Sequence, residues 1–430
     1  MAQFRENDEP SFEVTHVVLT ERARTHITPS TWSILKAQPG FWHLVEHRRL
    51  RILQVGRNQI QLEAMSYVGR ASLDSVDLEI REKVSGALAA LLKFATHEAF
   101  HIQRTDAPIT QLGELAALLV RQFLLAVRRY VSMGRDFLYS KQPVISSLSG
   151  GRLDIVKTIS LRARGFPHLI AFDRQFIDRR TPTNRVALAA LRETEKLATL
   201  IQLNPDDVAM ARGLSVFFED CRDREIVFGN RSHLADLARR LSEDPRQLQN
   251  RDLLVLANVL LSHVSFEHSE RLRGTLPRAW FLNLETLFES AIRSILAELD
   301  ASGFGLQPRG EHRPLIFEQR KLTANPDLVI TRGDEVVAIG DLKYKYLAVE
   351  DWMKKVKAAD LYQLLAHAAA FRARISFLIY PDQAFDVCDL GTSATGSRTY
   401  VFKVDVRALP QSLTRAMEVM RLLPAKDGVA

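Results

Sequence analysis

The 430-residue sequence has little cysteine, no nucleotide-binding loop and no long apolar run. Its two cysteines, Cys221 and Cys388, lie far apart, which excludes a zinc knuckle and a disulfide framework and predicts two reduced thiols. No G-x-x-x-x-G-K-[S/T] pattern occurs, so we expect no bound nucleotide in this chain, and any nucleotide-driven motor must come from a partner. The polar N-terminus and the lack of a membrane-spanning run predict a cytoplasmic protein with no membrane partner.

The composition that remains is that of a globular protein with a basic excess. The sequence has 58 Lys and Arg residues against 51 Asp and Glu residues, which gives a formal net charge of +7. This balance favours a polyanionic partner. With 46% hydrophobic residues, the chain is long enough to form two or three domains with well-filled cores.

Residue patterning divides the chain into three regions and predicts a multidomain α+β protein. Residues 1–85 read as a β-rich module of a kind that normally binds a partner, residues 86–275 as a mainly helical connector, and residues 276–430 as an α/β domain with a mixed central sheet. Strands are expected at residues 12–19, 50–56, 59–63, 375–380 and 400–406, helices at 112–130 and 252–264, and a β-like interruption at 153–170.

The most informative stretch is a predicted hairpin that carries two carboxylates and a lysine. Residues 325–330 and 336–343 read as apolar strands joined by a turn. A three-residue loop, Gly333–Glu335, places Asp327 opposite Asp341, and Lys343 shares their face because side chains two apart in a strand point the same way. A two-residue loop would separate the carboxylates unless a β-bulge restored the register.

Two carboxylates side by side on apolar strands repel each other and are desolvated unless a cation lies between them. Oxygen ligands of this kind suit Mg²⁺, with Mn²⁺ as a possible substitute. Such an ion polarises a phosphate and lowers the pKa of a bound water, while Lys343 orients that water and offsets developing negative charge. The pattern therefore predicts metal-dependent phosphodiester hydrolysis. The Pro-Asp pairs at 205–206 and 381–382 lack the strand, turn and Asp-x-Lys that follow Asp327.

Helices predicted on either side of the hairpin add polar candidates. The apolar spacing over residues 280–296 predicts an amphipathic helix, and Glu289 lies beside its apolar stripe, where it can reach a sheet-borne metal or remain a solvated carboxylate. A second helix begins near Asp360. Gln363 and His367 lie four residues apart on one of its faces, where they can meet a phosphate or the attacking water.

Taken together, these segments resemble the PD-(D/E)xK nuclease superfamily and, within it, the McrC family, the nuclease subunits of the McrBC modification-dependent restriction system. The C-terminal third carries the most specific segments. Residues 151–154 (GRLD) and 178–185 (DRRTPTNR) resemble further family segments, as do residues 78–84, where Glu82 stands in place of the usual proline. The C-terminal segments are FLNLETLFE, NPDLVI, IGDLKYKYL and DLYQLLAHA.

The resemblance implies an endonuclease that cuts double-stranded DNA carrying methylated cytosine. Asp327 and Asp341 would bind Mg²⁺, Lys343 would be catalytic, Glu289 would be the upstream acidic member, and Gln363 would be an accessory. His367 departs from the tyrosine common in the related helix. The partner would be a hexameric AAA+ GTPase resembling McrB, which residues 1–85 would contact and stimulate.

Two other functions remain open from the sequence. The chain can be a non-catalytic adaptor that activates an AAA+ partner, although the intact Asp327, Asp341 and Lys343 argue against this. It can also be a standalone DNA-repair nuclease, which the β-rich N-terminal region without a DNA-reading motif disfavours.

A zinc-protease signature also occurs in the sequence. His97-Glu98-Ala99-Phe100-His101 matches H-E-x-x-H, in which two histidines one helical turn apart bind zinc. Glu114 is the available third ligand, and it is not followed by any second signature. We therefore interpret these histidines as the polar end of a helix.

Overall fold

The computed structural model describes residues 14–55, 59–73, 75–96, 112–198, 200–201, 203–222, 231–262, 264–267, 278–298, 304–307, 314–317, 322–347 and 352–422. The chain forms two compact units: unit 1 comprises Met1–Ala116 with Ser262–Ala430, and unit 2 comprises Ala117–Leu261. Helices and several sheets occur together, which confirms the predicted α+β class. None of the described helices combines the length and the apolar composition needed to cross a lipid bilayer.

The first sheet of unit 1 joins segments from opposite parts of the sequence. Its strand order is β1-β6-β5-β11-β10, in which β1 and β6 run parallel and the other neighbours are antiparallel. Strand β11 brings Phe281 into the same core as Leu78 and Ile80 of β6. The strands are β1 Thr15–Thr20, β5 Tyr67–Leu73, β6 Val76–Arg81, β10 Val264–Glu267 and β11 Arg278–Asn283.

A smaller antiparallel sheet, in the order β2-β4-β3, completes the N-terminal part together with two short helices. Leu62 of β4 and Phe41 of the second helix are fully buried in the same core as the first sheet. The predicted strands at 50–56 and 59–63 are confirmed. The elements are β2 Arg24–Ile27, α1 Pro29–Lys36, α2 Pro39–Glu46, β3 Leu50–Val55 and β4 Gln59–Ala64.

The C-terminal part of unit 1 is built on a mixed six-stranded sheet, in the order β12-β15-β16-β17-β19-β18. The central strands β16, β17 and β19 are parallel, and both predicted strands near 375 and 400 belong to it. Helix α12 packs its buried Leu364 and Phe371 against this sheet. The strands are β12 Gly305–Leu306, β15 Leu328–Arg332, β16 Glu335–Leu342, β17 Ile375–Asp382, β18 Asp386–Thr392 and β19 Arg398–Asp405.

The remaining elements of unit 1 are helices and one short strand pair. Helix α10 packs against α3. The predicted helix over 280–296 is wrong at its start, because residues up to Asn283 extend β11 and the Asn283 side chain then caps α10 by accepting the backbone N–H of Glu285 (3.0 Å). The elements are α3 Ala87–Ala95, α10 Leu284–Glu298, β13 Leu315–Phe317, β14 Leu322–Thr323, α11 Trp352–Lys355, α12 Ala358–Phe371 and α13 Leu409–Val419.

Unit 2 is mainly helical and also contains a three-stranded antiparallel sheet in the order β7-β9-β8. The predicted helix at 112–130 is confirmed. The predicted helix at 252–264 is confirmed up to Ser262 and is wrong at its end, because Val264 begins β10. Helix α4 begins in the last residues of unit 1. The elements are α4 Leu112–Ser132, β7 Leu138–Ser146, β8 Arg152–Leu153, α5 Ile155–Ala163, β9 Ile170–Asp178, α6 Pro182–Ala198, α7 Pro205–Phe217, α8 Arg231–Glu243 and α9 Arg251–Ser262.

The predicted β-like interruption at 153–170 is wrong in its first part, because Ile155–Ala163 form helix α5. Its β-branched residues favour a strand, but the Asp154 side chain accepts the backbone N–H of Lys157 (2.9 Å) and starts a helix. The strands lie instead on either side, in β7, β8 and β9.

The residues of the DRRTPTNR segment form a buried polar network in unit 2. Asn184 accepts a hydrogen bond from the Tyr130 hydroxyl (2.8 Å) and donates to the carbonyl oxygens of Asp136 (2.8 Å) and Arg179 (2.7 Å). Arg135 pairs through both guanidinium nitrogens with Asp220, each at 2.9 Å. Because Asn184 uses both its oxygen and its amide group here, we assign this segment a structural role.

Backbone pairing links the first and last predicted regions within unit 1. Strand β11, beyond the predicted boundary near residue 275, hydrogen-bonds to β5 of the N-terminal module in the register Phe281 to Gly69. The three-region division stays a prediction. The pairing means that removal of residues 1–85 would take three of the five strands, β1, β5 and β6, from the sheet that holds β11.

Candidate active site

The hairpin β15–β16 places the two predicted carboxylates beside each other by a different route from the expected one. Arg332 pairs with Glu335, so the loop has two residues, and the predicted three-residue loop is wrong. A register shift between Ile330 and Thr331 then restores the pairing, so Leu328 lies opposite Gly340. This is the bulge that the sequence allowed as the alternative, and it brings Asp327, just before β15, next to Asp341.

Asp327 is held on both its side chain and its backbone. Its Oδ2 accepts the backbone N–H of Leu342 (2.8 Å), the residue after Asp341. Its carbonyl oxygen accepts a hydrogen bond from Arg293 (2.6 Å), which also donates to the carbonyl of Gln307 (2.9 Å). The half-buried Asp327 is therefore fixed to the end of β16.

Asp341 is only 1% exposed and lies between two basic side chains. Lys343 Nζ is 3.4 Å from its Oδ2, and His367 Nδ1 is 3.3 Å from its Oδ1, although the His367 contact falls short of hydrogen-bond geometry. Burial by itself raises the pKa of Asp341, but His367 and Lys343 outweigh burial and hold that pKa below its ordinary value of 3.8. Asp341 is thus an ionised carboxylate in the interior.

Helix α12 carries the other two polar side chains of the site. Lys343 Nζ donates to Gln363 Oε1 (3.2 Å), and His367 one turn later contacts Asp341. The i, i+4 spacing explains why both reach the same cluster. The structure therefore brings Lys343, Gln363 and Asp341 together, and it gives His367, the departure from the family pattern, a direct contact with the proposed metal ligand.

A second polar cluster lies one turn earlier on α12 and was missed by the sequence reasoning. The buried Asp360 accepts hydrogen bonds from Lys345 (3.1 Å) and from the Tyr380 hydroxyl (3.1 Å). Burial, followed by the negative charge of Asp360, raises the pKa of Tyr380 well above its ordinary value of 10. The sequence signal for the Lys345–Asp360 pair was a second lysine, Lys345, two residues after Lys343.

Glu289 lies on α10, four residues before Arg293. Residues four apart share a helix face, so Glu289 lies one turn from the guanidinium that holds the Asp327 carbonyl. Its side chain is half-buried. Its assignment as the upstream acidic member stays a prediction.

The gathered residues fit a hard divalent cation by their chemistry. Asp327 and Asp341 supply carboxylate oxygens, which Mg²⁺ prefers. Glu289 does not join them in a three-ligand group among the described residues. The cluster has no thiolate that would favour a softer metal. The Lys343 ammonium now lies beside the buried charge of Asp341, a charge that a bound cation would also balance.

The chain has two other groups of possible metal ligands. The H-E-x-x-H segment, His97–His101, lies outside the described residues. Among the described residues, His43, Glu46 and His47 on α2 lie within reach of one ion. Glu46 and His47 are exposed, and the two imidazole rings stack with centroids 4.0 Å apart, as solvated surface side chains also do.

Three comparisons place the chain among known proteins. A family model described as "McrBC 5-methylcytosine restriction system component" matches residues 62–381. A refined half-complex from the tetradecameric assembly of Thermococcus gammatolerans McrB AAA+ hexamers with bound McrC is 15% identical, covering 94% of this chain and 100% of that chain with a TM-score of 0.45. The cryo-EM structure of the Thermococcus gammatolerans McrBC complex is 16% identical, covering 66% and 87%, with a TM-score of 0.40. No curated protein matches.

Proposed function

The chain belongs to the McrBC family of 5-methylcytosine restriction system components, and we propose that it is the DNA-cutting subunit of such a system. The observation that carries this proposal is the cluster at the end of β16. There Asp341 contacts Lys343 (3.4 Å) and Asp327 binds the intervening backbone N–H of Leu342 (2.8 Å). We propose that the six-stranded mixed sheet with α10 and α12 is a PD-(D/E)xK nuclease core.

The residues of this cluster divide the work of phosphodiester hydrolysis. Asp327 and Asp341 would hold Mg²⁺, which when bound lowers the pKa of a water and withdraws charge from the phosphate. Lys343 orients the attacking water and offsets the negative charge that develops on the phosphate. Gln363 fixes the Lys343 ammonium, and His367 fixes the Asp341 carboxylate.

We propose that the energy-coupling partner is a hexameric AAA+ GTPase, because restriction by this family is a multi-component process and the sequence contains no nucleotide-binding loop. Docking remains assigned to residues 1–85. Since β5 and β6 belong to the sheet that holds β11, surface substitutions in this module are a better test of docking than its deletion.

The test measures Mg²⁺-dependent cleavage of DNA containing 5-methylcytosine by the full chain with its AAA+ GTPase and GTP. Asp341→Asn and Lys343→Ala are each expected to reduce cleavage by about 10³-fold or more, since each removes a group that acts on the developing charge. Stimulation of GTP hydrolysis should remain. Asp382→Asn is the matched control. Asp382 also follows a proline and also pairs with a lysine, Lys403, in the same sheet.

Each contrary outcome points to one of the other functions. A wild-type chain that stimulates GTP hydrolysis but leaves the DNA intact is an adaptor. Cleavage of unmodified DNA without the GTPase identifies a standalone nuclease. Cleavage that survives both Asp341→Asn and Lys343→Ala contradicts the site assignment.

A further inference from the structure

Glu21 is a fully buried carboxyl group that the proposed reaction does not use. It directly follows β1, where its backbone N–H donates to the carbonyl of Arg81 (2.9 Å) and Arg22 adopts a left-handed conformation with φ 54°. None of its surface is exposed. A carboxyl group in such a place loses its hydration and is retained only where its contacts compensate for that loss.

The principal contact of Glu21 is with a tyrosine 323 residues later in the sequence. The Tyr344 hydroxyl donates to Glu21 Oε1 (3.1 Å), and the backbone N–H of Lys83 reaches the same oxygen (3.4 Å). The Tyr344 ring is buried, with its centroid 5.5 Å from that of Phe288 on α10. Glu21 is therefore the polar end of a packed aromatic contact.

Tyr344 is the residue next to the proposed catalytic lysine. Lys343 Nζ contacts Asp341 (3.4 Å). The Tyr344 side chain, on the next residue, donates its hydrogen bond to Glu21. Residues 343 and 344 directly follow β16 in a tight turn, in which the backbone N–H of Lys345 donates to the carbonyl oxygen of Lys343 (2.7 Å). The two residues share this constrained backbone, so fixing the Tyr344 side chain limits the directions open to Lys343. The backbone N–H of Lys343 is also held, by the carbonyl of Ile379 (2.9 Å).

We propose that Glu21 is a positioning residue that sets the direction of Lys343 by anchoring Tyr344. The inference rests on the proposed function and deepens it, because it makes the N-terminal module a working part of the cutting site. A docking partner that displaces the N-terminal module would then move Tyr344 and, with it, the ammonium group of the adjacent Lys343.

The test compares the steady-state cleavage kinetics of Glu21→Ala, Tyr344→Phe and Glu21→Gln in the full chain. Glu21→Ala and Tyr344→Phe are expected to lower kcat by about 10- to 100-fold with little change in KM for DNA, because a misplaced group slows chemistry without weakening binding. Glu21→Gln retains an acceptor for the Tyr344 hydroxyl and should restore most of kcat. Glu82→Gln is the matched control, since Glu82 caps α3 through the N–H groups of Gly86 and Leu88.

Amide hydrogen exchange over residues 342–347 provides a readout that does not depend on cutting. Exchange is expected to rise in Glu21→Ala and stay unchanged in Glu82→Gln. Unchanged exchange, wild-type kcat in Glu21→Ala, or an equal loss of kcat in Glu82→Gln overturns the positioning role. If the wild type cuts no DNA, the proposed function fails, and the exchange result still decides whether Glu21 orders the lysine segment.

Discussion

Asp341 and Glu21 are two buried carboxyl groups whose charges are controlled in opposite ways. Asp341 is 1% exposed, and despite its burial the adjacent His367 and Lys343 hold its pKa below 3.8. Glu21 is 0% exposed, and burial raises its pKa to about 7 because the Tyr344 hydroxyl and its other neighbours compensate only in part. Burial raises the pKa of both groups, and the neighbours of each decide whether that effect is outweighed.

The difference in pKa suits Asp341 to a role in the reaction and Glu21 to a positioning role. An ionised carboxylate whose charge is offset by a neighbouring ammonium is also suited to hold a metal ion. A carboxyl group near neutrality in an aromatic contact has less charge to offer and acts through its hydrogen bond. The segment Lys343-Tyr344 connects the two, since one residue contacts Asp341 and the next contacts Glu21.

The largest expected effect on stability concerns the charge of Glu21. Its folded pKa of about 7 lies above the ordinary 4.5, so its stabilising contribution is full below pH 4.5 and is lost as the pH rises through 7. Glu21→Gln does not titrate. The unfolding free energy of this variant minus that of the wild type should therefore be larger at pH 8 than at pH 4.5, by up to roughly 3 kcal/mol. Denaturant unfolding at both pH values measures this; an equal difference at both would mean that Glu21 titrates normally.

The sequence predicts the residues around Asp341 far better than it predicts the contact between Glu21 and Tyr344. Asp327, Asp341 and Lys343 follow from strand alternation, which acts over a few residues, and the bulge compensated for the wrong loop length. Glu21 leaves no comparable trace, because its partner Tyr344 is 323 positions away in the sequence.

Local caps explain much of what the fold prediction missed. Asp154 and Asn283 each accept a backbone N–H and start a helix, the first within a β-branched segment and the second where apolar spacing continued from a strand. One hydrogen bond outweighs the small differences in intrinsic preference among these residues. The pairing of β11 with β5 is long-range and leaves no signal in either strand alone.

A smaller loss of stability is expected from Gly340→Ala, which perturbs the Asp341 side alone. A β-carbon at Gly340 would lie within 2.4 Å of two atoms of the Phe377 ring, so the ring or the strands β16 and β17 must shift. Overpacking of this kind costs about 1–3 kcal/mol of unfolding free energy, and the shift should also slow cleavage. Thermal unfolding and cleavage of the same sample measure both effects.

Gly333→Ala serves as a backbone-strain control for the unfolding free energy. Gly333 lies in the solvent-exposed turn, where a β-carbon would meet no atom within 4 Å.

The smallest expected effect concerns the pH dependence of Asp341 in metal-free protein. Because its folded pKa lies below 3.8, its stabilising contribution is present above that value and is lost as the pH falls through the folded pKa. Asp341→Asn should therefore be less stable than the wild type by about 1 kcal/mol at neutral pH, with the difference vanishing in acid. Unfolding with a chelator from pH 7 down to pH 3 measures this. A difference that grows on acidification would place a proton on Asp341 at neutral pH, make it resemble Glu21, and remove the distinction between the two carboxyl groups.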